Sequence, residues 1–301
     1  MKVFIAGGTG FVGSYVSKKI KDSGASVTLL ERKKEKISNL KDNGFEVFEG
    51  SLDDKKPLDE FLSSAKFDAI INLIGIIKSA PDFSFHKVHV EYISILLDLA
   101  RKNNIERFVH MSALGASESD SEYFNTKFLG QTLVENSGLK WTVFKPSLIF
   151  GDNAGFFDDM ISLVKSKPVI PVIGTGETKF APVDVSSVAA AYNHSLYNEK
   201  TIRREFELCG PEIYTFEEMI DLVMEISPPK KLKIHVPSFL AEKSLSFFEK
   251  LSFAANMPVT SDQIKMLKYD NVCGPASGEA VEIFGLERAS FKKWLESYVK
   301  K

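Results

Sequence analysis

The feature that most constrains this chain is a glycine-rich turn close to its first residue. Three glycines, Gly7, Gly10 and Gly13, follow a short apolar run at 3–6 and open a segment of helical periodicity. Glycine lets the backbone turn tightly and approach a pyrophosphate, whose charge is met by free N–H groups and the positive end of the helix dipole. The order of strand, turn and helix predicts a dinucleotide-binding βα unit. The alternative is a glycine turn that binds nothing.

The first half of the chain alternates short β-branched runs with segments of helical period, a pattern typical of a parallel sheet covered on both faces. We predict an α/β fold, a Rossmann-type doubly wound parallel sheet, whose strands meet ligands at their carboxyl ends. The predicted strands lie at 3–6, 27–30, 45–48, 69–73, 108–111 and 142–144, and the predicted helices at 11–23, 34–43, 58–64, 85–102 and 124–136.

After Gly151 the alternation weakens and prolines interrupt shorter elements. We expect residues 1–150 to form the NAD(P)-binding Rossmann domain. Residues 151–301 are expected to form a smaller α/β region that binds a substrate or a partner, with part of 179–200 packing back on the Rossmann core.

Charge and hydropathy exclude several classes of protein. The 38 basic and 40 acidic side chains nearly cancel, which argues against a nucleic-acid partner. The longest apolar run, 69–77, is interrupted by Asn72 and Gly75 and is shorter than the ~20 residues of a membrane-spanning helix. We expect no transmembrane segment and a cytoplasmic protein.

The two cysteines, Cys209 and Cys273, lie far apart, and no Cys or His accompanies them at ligand spacing. We therefore expect neither a disulfide nor a zinc site, and a reducing compartment. The histidines form no metal-ligand spacing either, so no metal is predicted.

The end of the second predicted strand gives two conflicting indications about the cofactor. Glu31 lies eighteen residues after Gly13, close to the ~20-residue offset at which a carboxylate reaches the adenosine ribose of NAD. Arg32 and Lys33 follow directly, and a guanidinium there can pair with the 2′-phosphate of NADP. The basic run is alternatively the solvated start of a helix.

Three side chains at the same predicted sheet edge suggest proton chemistry. Ser112 lies at the end of the fifth predicted strand, directly after residue 111, and Tyr123 and Lys127, four residues apart, share one face of the next helix. A tyrosine phenol titrates near ~10, and an adjacent ammonium lowers that pKa. Tyr123 could then exchange a proton with a substrate oxygen that Ser112 holds. The alternative is a surface aromatic beside a solvated lysine.

These residues resemble the extended and atypical short-chain dehydrogenase/reductases, the NAD-dependent epimerase/dehydratase type. Segments 108–116, 145–151 and 180–185 are similar to recurring segments of that family. Segment 258–263, with Met266, Leu267 and 270–272, most resembles the branch of the nucleotide-binding accessory subunit of respiratory complex I and its bacterial relatives. The resemblance covers nearly the whole chain.

The resemblance implies a set of cofactor contacts, which it places around the sheet edge. Lys127 would also hold the nicotinamide ribose, Pro146 would lie near the nicotinamide, and His89 replaces a structural Asn. Ser51 stands where the family usually has Asp at an adenine contact. Taken together, the residue patterns and the resemblance give as expected cofactor-binding residues Gly7, Thr9, Gly10, Phe11, Val12, Gly13, Glu31, Arg32, Lys33, Ser51, Leu52, Leu73, Ile74, Gly75, Lys127 and Pro146.

Two functions follow from these observations. The first is an NAD(P)-dependent oxidoreductase or epimerase-like enzyme acting on a small molecule, with Ser112, Tyr123 and Lys127 as the catalytic residues. The second is a non-catalytic NADP(H)-binding accessory or assembly subunit of a respiratory NADH dehydrogenase complex, peripheral to a membrane. We favour the first because the three side chains are complete. We favour NADP(H) over NAD(H) on the position of Arg32.

Overall fold

The computed structural model describes residues 1–227, 231–250, 259–275, 277–287 and 289–300. Its strands are β1 Lys2–Ala6, β2 Ser26–Glu31, β3 Glu46–Glu49, β4 Ala69–Asn72, β5 Arg107–Met111, β6 Lys140–Pro146, β7 Ile149–Phe150, β8 Val169–Ile173, β9 Lys179–Phe180, β10 Val183–Asp184, β11 Arg204–Leu208, β12 Tyr214–Thr215 and β13 Leu232–Val236. Its helices are α1 Phe11–Asp22, α2 Lys34–Asp42, α3 Lys55–Ala65, α4 Tyr92–Lys102, α5 Glu122–Glu135, α6 Gly155–Ser166, α7 Val185–Ser195, α8 Phe216–Ile226, α9 Ser238–Lys250, α10 Ser261–Met266, α11 Ser277–Phe284 and α12 Phe291–Val299.

The central sheet has seven parallel strands in the order β11-β6-β5-β4-β1-β2-β3. The chain runs outward from β1 to β3 and then returns to β4 on the other side of β1. This reversal places a topological switch point between β1 and β4, where ligands of doubly wound sheets bind. The predicted α/β doubly wound fold is confirmed.

The central strands β1, β4 and β5 are buried on both faces, which explains their nearly continuous apolar sequences. Along β1, Val3 and Ile5 pack into one core beneath α1, α7 and α11. Phe4 and Ala6 pack into a second core beneath α3 and α4. Because α7 packs directly against α1 and β11 extends the sheet beside β6, the Rossmann core includes sequence from beyond residue 150.

A third core lies outside the sheet. It is built from α6, α8, α12 and β8, the strand with which β13 pairs. Phe157 and Phe291 are fully buried there, with ring centroids 4.9 Å apart. Residues of the second half therefore have an apolar core of their own beside the sheet edge.

The expectation of two unlinked cysteines was wrong. Cys209, directly after β11, forms a disulfide with Cys273, and their Cα atoms are 6.0 Å apart. The fold brings the end of β11 next to the segment that follows α10. Because the two cysteines are 64 residues apart in the sequence, their spacing did not predict the disulfide. The disulfide removes the argument for a reducing compartment. Across the described part of the chain, no helix has both the length and the apolar character needed to traverse a bilayer.

Candidate active site

The glycine turn lies at the carboxyl end of β1 and leaves no room for larger residues. Gly7 has φ +83°, and a Cβ on it would lie 2.7 Å from the backbone nitrogen of Ile74. A Cβ on Gly13 would lie 2.1 Å from the carbonyl oxygen of Gly7. Gly10 is the N-cap of α1 and has no side chain to cap it. The open helix N-terminus beside a close backbone approach fits a pyrophosphate.

Glu31 at the end of β2 faces the protein and not the solvent. Its Oε1 accepts hydrogen bonds from the backbone N–H groups of Arg32 and Lys33, both at 2.8 Å, and Oε2 is buried. Burial raises the pKa of this carboxyl, but the Thr9 hydroxyl and the two backbone N–H groups outweigh burial and lower it. The ionised carboxylate therefore stabilises the turn into α2 and links that turn to Thr9.

Arg32 lies at the exposed rim of the same turn. Its guanidinium stacks over the ring of Phe83, 4.4 Å from the ring centroid. Such stacking leaves the edge N–H donors of the guanidinium available to a phosphate.

The region expected to contact adenine contains a residue that the sequence analysis did not identify. Leu52 is buried, and the Ser51 hydroxyl lies 3.2 Å from a carboxylate oxygen of Asp53. Asp53 also accepts a hydrogen bond from the Tyr92 hydroxyl at 2.9 Å and pairs with Lys87 at 3.0 Å. Asp53 therefore joins the loop after β3 to the start of α4, close to the position where Ser51 replaces the usual Asp.

The loop after β4 connects the glycine turn to the catalytic candidates. The backbone N–H of Leu73 donates to Ala6, and that of Ile74 donates to the Asn72 side chain. A Cβ on Gly75 would lie 3.8 Å from Nε2 of His89 and 3.9 Å from Nζ of Lys127. The predicted cofactor and catalytic residues therefore lie at one continuous sheet edge.

Lys127 and Ser112 lie side by side on adjacent elements. Nζ of Lys127, buried in α5, donates to the carbonyl oxygen of Met111 at 2.6 Å. Ser112 follows Met111 in the sequence, and its hydroxyl is buried without a hydrogen-bond partner in the described structure. Burial lowers the pKa of Lys127 to about 7. This leaves Ser112 with an unused donor and acceptor beside a lysine that titrates near neutral pH.

Tyr123 lies one helical turn before Lys127, enclosed by aromatic rings. Its ring meets those of His89 and Phe85 edge to face, at centroid distances of 5.5 and 5.9 Å. Burial raises the pKa of Tyr123 to about 12. The expected lowering by an adjacent ammonium was wrong for this structure, because burial acts on both groups and disfavours the charged form of each.

His89 supports the helix that carries Tyr123. It lies in a π-helical turn, Lys87–Glu91, within the predicted helix 85–102. Nε2 accepts from the backbone N–H of Ile76 at 3.2 Å, so Nδ1 carries the proton and donates to Oγ1 of Thr126 at 3.0 Å. Thr126 in turn donates to the Glu122 carbonyl at 2.8 Å. Burial and Lys127 lower the pKa of His89 to about 2, so a neutral ring joins the loop after β4 to α5.

His110 occupies the strand position two residues before Ser112, on the same face. It is completely buried, and its Nδ1 lies 3.2 Å from the amide nitrogen of Asn72. Because Oδ1 of Asn72 accepts from the Ile74 N–H, the Asn72 amide donates to Nδ1, which leaves the proton on Nε2. Burial, then Lys127 and His89, lower the pKa of His110 well below its usual range.

Asn271 joins the strand end at Pro146 to the C-terminal segment, which comprises residues 259–275. The Pro146 carbonyl accepts from the Leu114 N–H at 3.0 Å, and the Asn271 amide donates to the Leu114 carbonyl at 2.9 Å. Oδ1 of Asn271 accepts from the Ser147 hydroxyl at 2.7 Å. The loops after β5 and β6 are therefore held together by one side chain. Pro258, from the segment that indicated the complex I branch, lies outside the described residues.

Comparison with known proteins identifies the family. A sequence model of the NAD dependent epimerase/dehydratase family matches residues 3–209, which include the glycine turn, Ser112, Tyr123 and Lys127. The chain belongs to this family. The resemblance predicted from the sequence is confirmed.

Relatives of this family member include respiratory subunits and an assembly factor. The NADH-ubiquinone oxidoreductase 40 kDa subunit of Neurospora crassa is 26% identical, over 98% of this chain and 78% of its own. Subunit 9 of the NADH dehydrogenase 1 alpha subcomplex of Arabidopsis thaliana is 28% identical, over 89% and 70%. The photosystem II assembly factor Ycf39 of Guillardia theta is 29% identical, over 84% and 77%. The two respiratory subunits agree with the predicted branch.

Solved structures similar to this epimerase/dehydratase-family chain share its fold. UDP-glucose 4-epimerase from Thermotoga maritima, with UDP-glucose, superposes with a TM-score of 0.73 at 18% identity, covering 100% of this chain and 98% of that one. UDP-glucose 4-epimerase from Thermus thermophilus, in complex with NAD, superposes with a TM-score of 0.72 at 16% identity, covering 100% of this chain and 99% of that one. These superpositions show that the chain has the Rossmann-like fold. The family description gives the class of cofactor, a nicotinamide dinucleotide.

Proposed function

We propose that this family member is an NADP(H)-dependent oxidoreductase or epimerase-like enzyme that uses Ser112, Tyr123 and Lys127. The observation that supports this most is the pairing of a buried, unpartnered Ser112 hydroxyl with the adjacent Lys127–Met111 hydrogen bond. A buried hydroxyl without a hydrogen-bond partner lowers the stability of the fold. A bound substrate oxygen would supply that partner.

The proton steps follow from the protonation states of Tyr123 and Lys127. The bound dinucleotide supplies the hydride acceptor or donor. With a pKa of about 12, Tyr123 is protonated at neutral pH and can donate its proton to a carbonyl oxygen held by Ser112. Lys127, with a pKa of about 7, can return a proton to the phenolate. The remaining N–H donors of Lys127 can hold the nicotinamide ribose, and the turn at Gly7–Gly13 can hold the pyrophosphate.

The preference for NADP(H) rests on the two residues that end β2. The Glu31 carboxylate is buried and already accepts hydrogen bonds from the backbone N–H groups of Arg32 and Lys33. It is therefore poorly placed to bind the ribose hydroxyls. Arg32 is exposed and pre-oriented by Phe83. Replacing Arg32 with Ala should weaken NADPH binding by about tenfold or more and leave NADH binding nearly unchanged. Equal losses for both nucleotides would contradict the preference.

We propose that residues 151–301 supply the specificity of the site. A cavity of about 560 Å³ lies between β8, β13 and the end of α10, lined in part by Thr178, His235, Leu267 and Lys268. Its mixed polar and apolar lining suits a small organic molecule better than a single ion.

Turnover is tested with Tyr123→Phe, which keeps the ring and removes the phenol. NADPH oxidation in the presence of carbonyl compounds should fall by about 100-fold or more, while NADPH affinity stays within about twofold. Tyr197→Phe, at a side chain that is 55% exposed, is the matched control and should change neither quantity. Equal turnover by Tyr123→Phe and the wild type would contradict the catalytic assignment.

A second function is supported by the respiratory and assembly-factor relatives. In that case the bound dinucleotide stabilises the fold by linkage and the protein acts at a membrane complex through protein contacts. Retention of NADPH over hours, together with undiminished partner binding by Tyr123→Phe, would favour this function. Release within seconds and carbonyl-dependent turnover would favour the enzyme.

A further inference from the structure

The carboxylate of Asp262 lies at the N-terminus of α5, the helix that carries Tyr123 and Lys127. Its Oδ1 accepts from the backbone N–H of Glu122 at 2.7 Å. Its Oδ2 accepts from the backbone N–H of Tyr123 at 3.1 Å and from the Ser121 hydroxyl at 3.0 Å. A residue of the C-terminal segment therefore caps the catalytic helix from about 140 positions away in the sequence.

The other contacts of this helix start are local. The Ser121 hydroxyl accepts from the Phe124 N–H at 3.3 Å, and the Ser121 carbonyl accepts from the Asn125 N–H at 3.0 Å. With Asp262 in place, all four N–H groups of the first turn have acceptors. Without Asp262, the N–H groups of Glu122 and Tyr123 lose theirs, and the negative charge that complements the helix dipole is lost as well.

Several contacts fix the segment that carries Asp262. A capping box between Thr260 and Gln263 begins α10. Beyond the helix, Lys268 donates to one carboxylate oxygen of Asp120 at 2.8 Å, and the Tyr269 hydroxyl donates to the other at 3.1 Å. Asp120 immediately precedes Ser121, so the C-terminal segment contacts the start of α5 at two adjacent points.

We propose that Asp262 is a positioning residue for Tyr123 and Lys127. It orders the first turn of α5 and so aligns the phenol of Tyr123. This inference rests on the proposed function for its catalytic consequence. Its structural consequence, the order of the first turn of α5, stands independently of any turnover.

The test compares Asp262→Ala and Asp262→Asn with a matched control. Glu212 caps α12 in the same manner, with one oxygen accepting from the Ser290 hydroxyl at 2.8 Å and the other from the Phe291 N–H at 2.9 Å. Glu212→Gln therefore weakens an equivalent cap on a helix that carries none of the catalytic candidates. Hydrogen exchange of the α5 amides, the ¹³Cζ NMR signal of Tyr123, and NADPH-dependent reduction of phenanthrenequinone are measured for each variant.

Asp262→Ala should speed exchange in the first turn of α5 by about tenfold, shift the Tyr123 signal, and lower kcat by about tenfold with the KM for NADPH unchanged. Asp262→Asn should recover part of each effect, and Glu212→Gln should show none of them. Unchanged α5 exchange and an unchanged Tyr123 signal in Asp262→Ala would overturn the proposal. If the wild-type protein reduces no carbonyl, the proposed enzyme function fails, while the exchange and NMR readouts still decide the role of Asp262.

Discussion

Lys127 on α5 and Met111 on β5 are joined by a hydrogen bond of 2.6 Å from the ammonium Nζ to the carbonyl oxygen. This contact fixes α5, which carries Tyr123 and Lys127, against the strand that Ser112 directly follows. It also holds a lysine in a buried position, where desolvation lowers the pKa to about 7. The burial of Lys127 therefore holds α5 against β5 and also lowers the pKa of the Lys127 ammonium.

The pH dependence of stability should report this burial. Lysine in the unfolded chain titrates near ~10.4, above the folded value of about 7. Between these values the unfolded chain binds more protons, so stability rises with pH from 7 towards 10, by up to about 1.4 kcal/mol per pH unit. Urea midpoints at pH 7, 8 and 9 should rise less steeply in Lys127→Met than in the wild type. The exposed Lys41→Met is the control, and equal slopes for Lys127→Met and the wild type would refute the shift.

The glycine turn should not tolerate a methyl group at Gly13. The added Cβ would lie 2.1 Å from the Gly7 carbonyl oxygen, so Gly13→Ala must move the backbone that approaches the pyrophosphate. We expect a loss of about 1–3 kcal/mol in stability and at least about tenfold weaker dinucleotide binding. At Gly155 a Cβ meets no atom within 4 Å, so Gly155→Ala is the matched control for both measurements. Wild-type affinity in Gly13→Ala would show that the turn does not hold the cofactor.

The buried guanidinium of Arg107 should contribute strongly to stability. It donates to the carbonyls of Lys140 and Ser195 at 2.6 and 2.7 Å and to the hydroxyls of Thr142 and Thr201 at 2.7 and 3.2 Å. These contacts join β5 and β6 to the segment after α7. Replacing Arg107 with Lys keeps the charge but cannot reach all four acceptors, and should cost about 3 kcal/mol in unfolding free energy.

A control for this change is Arg101→Lys, at an exposed arginine paired with Asp98 at 3.0 Å. It should cost less than about 1 kcal/mol. Denaturant unfolding of both variants measures the difference. Equal costs would mean that the buried hydrogen bonds of Arg107 contribute no more than a surface ion pair.

The disulfide between Cys209 and Cys273 should be detectable and stabilising. Denatured protein should contain no free thiol until a reductant is added. Opening a bond that spans 64 residues should lower stability by about 4 kcal/mol, since the unfolded chain regains its loop entropy. The unfolding midpoint of Cys209→Ser should match that of the reduced wild type. Two free thiols in the untreated denatured protein would contradict the linkage.

Much of the fold could be predicted because its determinants are local. Each of the six predicted strands has an observed counterpart within two residues at either end, because apolar runs and glycine turns mark them directly. Strand β11 was not predicted, because its sequence, Arg204–Leu208, places charged residues between apolar ones and its burial depends on β6. The division of the chain near residue 150 stays a prediction.

The site was predicted less completely, because its support depends on distant contacts. Ser112, Tyr123 and Lys127 could be selected by residue type and spacing. His110 was given no role from the sequence, and His89 was placed only through the family resemblance, since nothing local shows that their ring nitrogens meet Ile76 and Asn72. Asp262 could not be linked to Tyr123 without the fold.

The most direct test of the whole account is calorimetric titration of the purified, nucleotide-free protein with NADPH and with NADH. We predict that both bind and that NADPH binds at least tenfold more tightly, a difference of about 1.4 kcal/mol. At least tenfold tighter binding of NADH would contradict the assignment of Arg32, and binding of neither nucleotide would contradict the central claim that the glycine turn is a dinucleotide site.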